Sequence, residues 1–369
     1  MSMKGLRVYV TGTRGFPDIQ GGVETHCREL YTRLATMGCD VIVSRRRSYA
    51  RPDAPKQYKG VTIRDIYAPR VKSLEAAVHT FLSIIDARRC GCDIVHIHAV
   101  GPGLFVPLAR LLGMKTIVTN HGADYRRPKW EPVARSVLRL GEWISTRFSD
   151  AVIAVSPGIA DELRRRYGRD DVAAIVNGVE PVDPSGTDNS AVLARYGLRD
   201  GKYILAIGRL VEEKGLHDLV EAYAAGTFRD VTLVIAGDAD HPTSYSRRLK
   251  ERAREVGAVL TGAVDKATIA ALLSGATLYV LPSSHEGLSI SLLEAMAAGK
   301  DIALSDIPAN RLPQFIPGDY FPPHSPAALA RVIARKLSSP TPRTYDLSPY
   351  AWPRIATQTL TLYLHLCEK

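Results

Sequence analysis

Short runs of β-branched and aliphatic residues alternate along the chain with longer segments whose apolar positions recur at helical spacing. The short runs at Leu6–Val10, Asp40–Ser44, Ile94–Ile97, Lys115–Thr119 and Ala151–Ala154 predict strands. A second series follows at Tyr203–Ile207, Thr232–Ile235, Val259–Leu260, Leu278–Leu281 and Ile302–Leu304. Between them lie helical patterns such as Val23, Cys27, Leu30, Leu34 and Met37 after the first strand. Strand and helix in strict alternation is the mark of a parallel sheet covered by helices, so two tandem series predict an α/β protein of two doubly wound domains. The aperiodic stretch Pro181-Val182-Asp183-Pro184-Ser185-Gly186-Thr187-Asp188-Asn189 reads as the linker, placing the domains at 1–182 and 190–349. Ligands of such sheets bind beyond the carboxyl ends of the strands, so the chemistry is expected in the loops there.

A chain of 369 residues has room for two such cores, and 46% hydrophobic with 23% charged residues excludes disordered and fibrous classes. The uncharged stretch Ala99–Ala109 is broken by Gly101, Pro102, Gly103 and Pro107 and falls short of the ~20 residues that span a bilayer. The N-terminus is too short and polar for a signal peptide, and five cysteines without a C-x-x-C pair offer no disulfide framework or zinc quartet. A cytoplasmic protein is expected.

The net charge of +10 is uneven: residues 1–180 hold 28 basic and 18 acidic side chains, and the remainder 20 of each. A basic first half suits an anionic partner such as a membrane face or an acidic or phosphorylated substrate, with plain solubility as the alternative. Basic residues without interleaved aromatics disfavour nucleic acid. The segment Val71–Arg89, with Leu74, Ala77, Val78, Phe81, Leu82 and Ile85 among Lys72, Arg88 and Arg89, is amphipathic with a basic fringe and suits either a core-packed helix or a membrane surface.

Three loops carry candidate chemistry. The first strand leads through Thr11-Gly12-Thr13-Arg14-Gly15 to Gly21-Gly22 at a helix start, where backbone N–H groups can close on an anion. Thr11-Gly12-x-x-Gly15 also begins like a dinucleotide-binding turn, but Asp18 stands where that turn needs glycine. In the would-be partner string Tyr125 to Lys129, Pro128 interrupts the helix that would align the two side chains. In the second series, Gly208-Arg209-x4-Lys214 follows the strand Tyr203–Ile207; its two cations can converge on a diphosphate. After Leu278–Leu281 comes Glu286-Gly287-Leu288-Ser289-Ile290, with Glu294 about two turns into the next helix. N–H groups of Gly287 to Ile290 form an anion site there, and the carboxylates suit sugar and ribose hydroxyls.

Taken with His121-Gly122, Val176-Asn177-Gly178-Val179 and Ala351-Trp352, these motifs resemble the retaining glycosyltransferases of family GT4, over essentially the whole chain. The resemblance implies the GT-B fold, two Rossmann-like domains facing across a cleft, with a final helix near 350–369 returning to the first. It implies that Arg209 and Lys214 bind the donor diphosphate and stabilise its departure, and that Glu286 serves the donor sugar and Glu294 the ribose. His121 would approach the transferred sugar, and Gly21, Gly22 and Gly208 would admit phosphate or acceptor. Its continuation His121-Gly122-Ala123-Asp124-Tyr125 with Lys129-Trp130 resembles a subgroup building bacterial surface polysaccharides; Asp124 and Tyr125 bind acceptor there, or Tyr125 and Trp130 simply pack. The expected reaction moves a hexose or deoxyhexose from a nucleotide-diphosphate sugar to a saccharide or lipid-linked acceptor. No cofactor or metal is expected, Asp238-Ala239-Asp240 reading as a turn, and peripheral contact with an anionic membrane is the further partner. A nucleotide-sugar epimerase and a non-catalytic sugar-nucleotide-binding module are the competing readings. Lys300-Asp301 and Asn310-Arg311-Leu312 depart from the family pattern and put donor identity in question.

Overall fold

The structure, a computed structural model, describes residues 5–71, 74–123, 125, 130–181, 189–226, 228 and 230–368. It divides into two compact units, Met1–Gly178 with Tyr350–Lys369, and Val179–Pro349.

The first unit holds β1 (Arg7–Thr11), β2 (Asp40–Arg46), β3 (Gln57–Tyr58), β4 (Val61–Ile66), β5 (Ile94–His98), β6 (Lys115–Asn120), β7 (Ala151–Ala154) and β8 (Val172–Ala174). Their order is β3-β4-β2-β1-β5-β6-β7-β8, parallel except for β3 against β4. Around it lie α1 (Gly22–Thr36), α2 (Glu75–Arg89), α3 (Val106–Leu111), α4 (Pro132–Phe148) and α5 (Pro157–Tyr167). The second unit holds α6 (Asn189–Arg195), β9 (Tyr203–Ile207), α7 (Leu216–Ala225), β10 (Thr232–Ala236), α8 (Ser244–Glu255), β11 (Val259–Gly262) and α9 (Lys266–Gly275). Its remaining elements are β12 (Leu278–Leu281), α10 (Ile290–Ala297), β13 (Asp301–Ser305), β14 (Tyr320–Phe321) and α11 (Pro326–Ser338). Its sheet runs β11-β10-β9-β12-β13-β14, parallel throughout. The last helix, α12 (Trp352–Cys367), belongs to the first unit.

Central strands such as β5 and β12 are buried along their whole length, as strands covered on both faces must be. Cys27, Leu30 and Leu34 of α1 share a core with Trp352, Ile355 and Tyr363 of α12. That contact depends on Gly178: a Cβ there would lie 2.5 Å from the Trp352 indole. The helix read from Val71–Arg89 is regular from Glu75, and its polarity is the reverse of the simple expectation. His79, Thr80 and Ser83 are buried beside Ile84 and Ala87, whereas Leu74 and Phe81 are exposed.

Candidate active site

In each sheet the chain winds away in opposite directions from one pair of neighbouring strands, and crevices for ligands open at such switch points. In the second unit that pair is β9 and β12. The loop after β9 carries Gly208, Arg209 and Lys214, and the loop after β12 carries Glu286 and leads into α10. Three loops meet here at backbone distance. A Cβ on Gly237 would lie 2.2 Å from the Gly208 carbonyl oxygen, and one on Gly215, at φ +61°, would lie 2.1 Å from that of Pro282. The Ser284 N–H donates to the Glu213 carbonyl at 2.9 Å, which ties the loops after β9 and β12 together.

Held this way, Lys214 Nζ donates to Glu286 Oε1 at 2.6 Å, with both side chains largely buried. Burial pushes the Glu286 pKa up; the charge and hydrogen bond of Lys214 outweigh it, so the group is held below its ordinary value. Arg209 Nη1 donates to Asp240 Oδ2 at 2.8 Å. Asp238 pairs with Lys250 at 2.6 Å and accepts the Ala239 N–H, so cations hold both carboxylates of Asp238-Ala239-Asp240.

Ser289 caps α10, its Oγ accepting the Leu292 N–H. The helix therefore starts at Ile290, later than the motif suggested. Gly287 and the buried Leu288 precede it, and the N–H groups of the first turn belong to Ile290 and Ser291. Glu294 is the fifth helical residue, little more than one turn in rather than two. Glu286 and Glu294 both act on the buried hydroxyl of Tyr279, which donates to Ser291 Oγ at 2.8 Å. Burial raises the Tyr279 pKa first and the two carboxylates add to it.

In the first unit the switch point lies between β1 and β5. Gly12, at φ +93°, lets the loop after β1 pass the His98 carbonyl, which a Cβ would approach to 2.2 Å. Arg14 anchors that loop through an ion pair with Glu24 at 3.1 Å and a bond to the Gln20 carbonyl. Gly21 caps α1 with its backbone against Glu24, whereas a Cβ on Gly22 would meet open space.

His121, just after β6, belongs to a histidine cluster that its motif did not disclose. His98 Nδ1 and His121 Nε2 share a hydrogen bond of 2.9 Å, and the rings stack at 5.2 Å. Tyr31 Oη lies 2.6 Å from His98 Nε2 and 2.9 Å from His96 Nδ1, while Thr119 Oγ1 lies 2.7 Å from His96 Nε2. His26 stands edge-on to His121 at 5.1 Å, with Nδ1 2.9 Å from Asn177 Oδ1. Burial, then the neighbouring His121, lowers the His26 pKa to about 3; burial also takes His96 to about 3 and His98 well down. His26, His96 and His98 are thus neutral at neutral pH. The available signal was His96-x-His98, two histidines on one face at the carboxyl end of a buried strand.

Of the two readings of Tyr125, its surroundings match packing. It is buried, its hydroxyl donates to Glu142 Oε2 at 3.0 Å and accepts from Arg166, and the Arg139 and Arg166 guanidiniums lie over its ring. Asp124 and Lys129 lie outside the described residues.

Residues 20–182 match Glycosyltransferase Family 4, and residues 194–351 match Glycosyl transferases group 1. The chain is a GT-B glycosyltransferase. Its curated relatives include alpha-maltose-1-phosphate synthase of Mycolicibacterium smegmatis, 28% identical with 94% of this chain and 96% of the relative covered. Sucrose-phosphate synthase from Thermosynechococcus elongatus matches this glycosyltransferase with a TM-score of 0.83 at 22% identity, over 99% of this chain and 100% of that one. Anabaena HepE in complex with UDP-glucose matches with a TM-score of 0.74 at 17% identity, over 98% of each chain.

The departures from the family pattern in this glycosyltransferase have local partners. Asp301 and Asp319 share Lys336 at 2.6 and 2.8 Å, all three buried, and Lys300 Nζ caps α9 through the Ser274 and Ala276 carbonyls. Arg311 pairs with Asp306 at 2.7 Å, and Asn310 donates to the Ser305 carbonyl. Among the described residues no helix is long and apolar enough to cross a membrane. However, α4 turns Val133, Val137, Leu140, Trp143 and Phe148 outward beside Arg139 and Arg147. Its buried face carries Gly141, Ser145 and Thr146 beside Glu142, and a Cβ on Gly141 would lie 2.3 Å from the Val100 carbonyl oxygen.

Proposed function

We propose that this glycosyltransferase moves a hexose or deoxyhexose, with retention at the anomeric carbon, from a nucleotide-diphosphate sugar to a saccharide or lipid-linked acceptor of a cell-surface polysaccharide. The observation that carries the donor half is the convergence of Arg209, Lys214, Glu286 and the start of α10 at one switch point. The UDP-glucose held by HepE, which shares the fold, supports a nucleotide sugar. The bond from the anomeric carbon to the phosphate oxygen breaks, and an acceptor hydroxyl takes its place on the same face while its proton passes to the leaving phosphate. Arg209 and Lys214 offset the charge that develops on the diphosphate, help that grows toward the transition state. Glu286 holds sugar hydroxyls while keeping Lys214 in place, Glu294 holds the ribose, and His121 orients the transferred sugar. The cations do the work of a metal, so no cofactor is required.

The outward face of α4 supports an acceptor presented at an anionic membrane, apolar side chains entering the interface while arginines meet headgroups. A phosphorylated sugar is the second acceptor reading, favoured by the relative named alpha-maltose-1-phosphate synthase.

Saturation-transfer NMR against a panel of nucleotide sugars tests the donor, repeated on Arg209→Ala. Binding of one donor that weakens more than about tenfold in the variant is expected. No binding, or binding indifferent to Arg209, overturns the reading. The anomeric configuration of the product by NMR tests retention. Flotation with phosphatidylglycerol vesicles tests the membrane face, where Trp143→Glu must abolish capture for the proposal to stand.

A further inference from the structure

The histidine cluster of the first unit has an unfilled valence. One ring nitrogen from each of His26, His98 and His121 lies within 4.8 Å of the others. His26 is 2% exposed and its Nε2 has no hydrogen-bond partner, although leaving a buried ring nitrogen unsatisfied costs about 1–3 kcal/mol. Its other nitrogen faces the Asn177 side-chain oxygen at 2.9 Å, an acceptor that fixes the proton on Nδ1 and leaves the Nε2 lone pair bare. His98 has a comparable arrangement: Tyr31 Oη lies 2.6 Å from Nε2 and can accept its proton, the tautomer in which the lone pair of Nδ1 faces His121. An imidazole whose far nitrogen is anchored by an oxygen acceptor is how proteins orient metal-binding histidines.

We infer that His26, His98 and His121 form a site for a divalent transition metal of the zinc type, held by three imidazoles with a fourth position left for water or an added ligand. Tetrahedral bonds of about 2.0–2.1 Å set ligand nitrogens about 3.3 Å apart. The 2.9 Å between His98 Nδ1 and His121 Nε2 needs a small opening, and the proton that His121 Nε2 shares with His98 moves to His121 Nδ1, which frees the Nε2 lone pair for the ion. Three imidazoles without a carboxylate select zinc-like ions over magnesium or calcium. The site does not depend on the proposed role of His121 in transfer.

A second group, His217, Asp218 and His324 in the second unit, could also take the ion, so the test is run in a His324→Ala background. Tag-free protein is titrated with Zn2+ by calorimetry and with Co2+ by visible absorption. One ion per chain and the intense bands of low-coordinate Co2+ are expected. His26→Gln should weaken Zn2+ by more than tenfold and Asn177→Ala by about 10–100-fold. His79→Gln, at a buried histidine elsewhere in the unit, should change nothing. Should a variant misfold, hydrogen exchange on unsubstituted protein decides: Zn2+ should protect residues 22–36, 94–98 and 119–122. Absence of binding in the His324→Ala background, unchanged affinity in folded His26→Gln, or protection confined to 216–225 overturns the proposal.

Discussion

Donor binding at the second unit has a competitor already in place. Arg209 is bonded to Asp240 at 2.8 Å, with each side chain about a third exposed, at 33% and 34%. A diphosphate can take the guanidinium only by displacing that carboxylate or sharing its donors. At a charge separation of about 4 Å the attraction is about 1 kcal/mol in water. Ordering of both side chains and screening reduce it to about 0–1 kcal/mol, the usual worth of a solvent-exposed pair. Removing the carboxylate should therefore release at most about 1 kcal/mol to the donor, so Asp240→Ala should tighten the nucleoside diphosphate Kd by about two- to fivefold. Calorimetry with the diphosphate that the donor screen selects measures this, and the gain should shrink in about 0.5 M salt. Asp240→Ala added to Arg209→Ala should yield a smaller gain, closing a double-mutant cycle. Weaker binding in Asp240→Ala with Arg209 intact would make Asp240 a donor contact in its own right and refute the competition.

Three further outcomes follow from particular contacts. Lys336→Met leaves the buried Asp301 and Asp319 short of a cation and should cost about 3–5 kcal/mol in urea denaturation, while the donor affinity of the folded fraction is unchanged. Gly178→Ala should cost about 1–3 kcal/mol by pressing on Trp352, whereas Gly22→Ala, with open space for its Cβ, should leave stability within about 0.5 kcal/mol; lost activity in the second variant would then report ligand approach. Because the Glu286 pKa is held below its ordinary 4.5, its ionised form contributes stability that is fully present above that value and fades as pH falls through the folded value. The stability difference between the wild type and Glu286→Gln should therefore be flat above about pH 5 and shrink in more acid solution; decay that begins well above 4.5 would contradict the Lys214 pairing.

Strands β7, β9 and β12 were legible because each is a continuous apolar run inside its sheet, and they fall on the expected residues. What escaped had a weaker signal. β4 reads Val61-Thr62-Ile63-Arg64-Asp65-Ile66, with Arg64 and Asp65 reaching Asp86 and Arg45, and β3, β8 and β14 are only two or three residues long. Residue type and spacing singled out Lys214 and Glu286 as candidates, yet their 2.6 Å contact and the Asp240 partner of Arg209 arise from strand order, which no local pattern encodes. The histidine cluster draws on α1, β5, the end of β6 and the approach to Gly178, so each member alone looks like an ordinary core histidine. Tyr125 stayed undecided in the sequence for the converse reason. An aromatic beside a motif suggests ligand stacking, and only the surrounding Glu142, Arg139 and Arg166 show that its polar end is already used.

The surplus positive charge of the first half can now be located. Inside that unit, Arg14 is paired with Glu24 and Arg45 with Asp65, and His26, His96 and His98 are uncharged at neutral pH. Among the described residues, the switch point there therefore draws little field from these groups. Exposed arginines instead stand at Arg88 and Arg89 of α2, Arg139 and Arg147 of α4, and Arg165 and Arg166 of α5. A small anionic ligand seated at the loops would pass these side chains by, because screening confines their influence to about 8–10 Å at ordinary salt. An extended anionic surface can meet several charges at once, and Arg139 and Arg147 share α4 with its exposed apolar side chains. Salt should for that reason release the protein from anionic vesicles in proportion to the arginines engaged, while donor affinity depends on salt only through Arg209 and Lys214 in the neutral half.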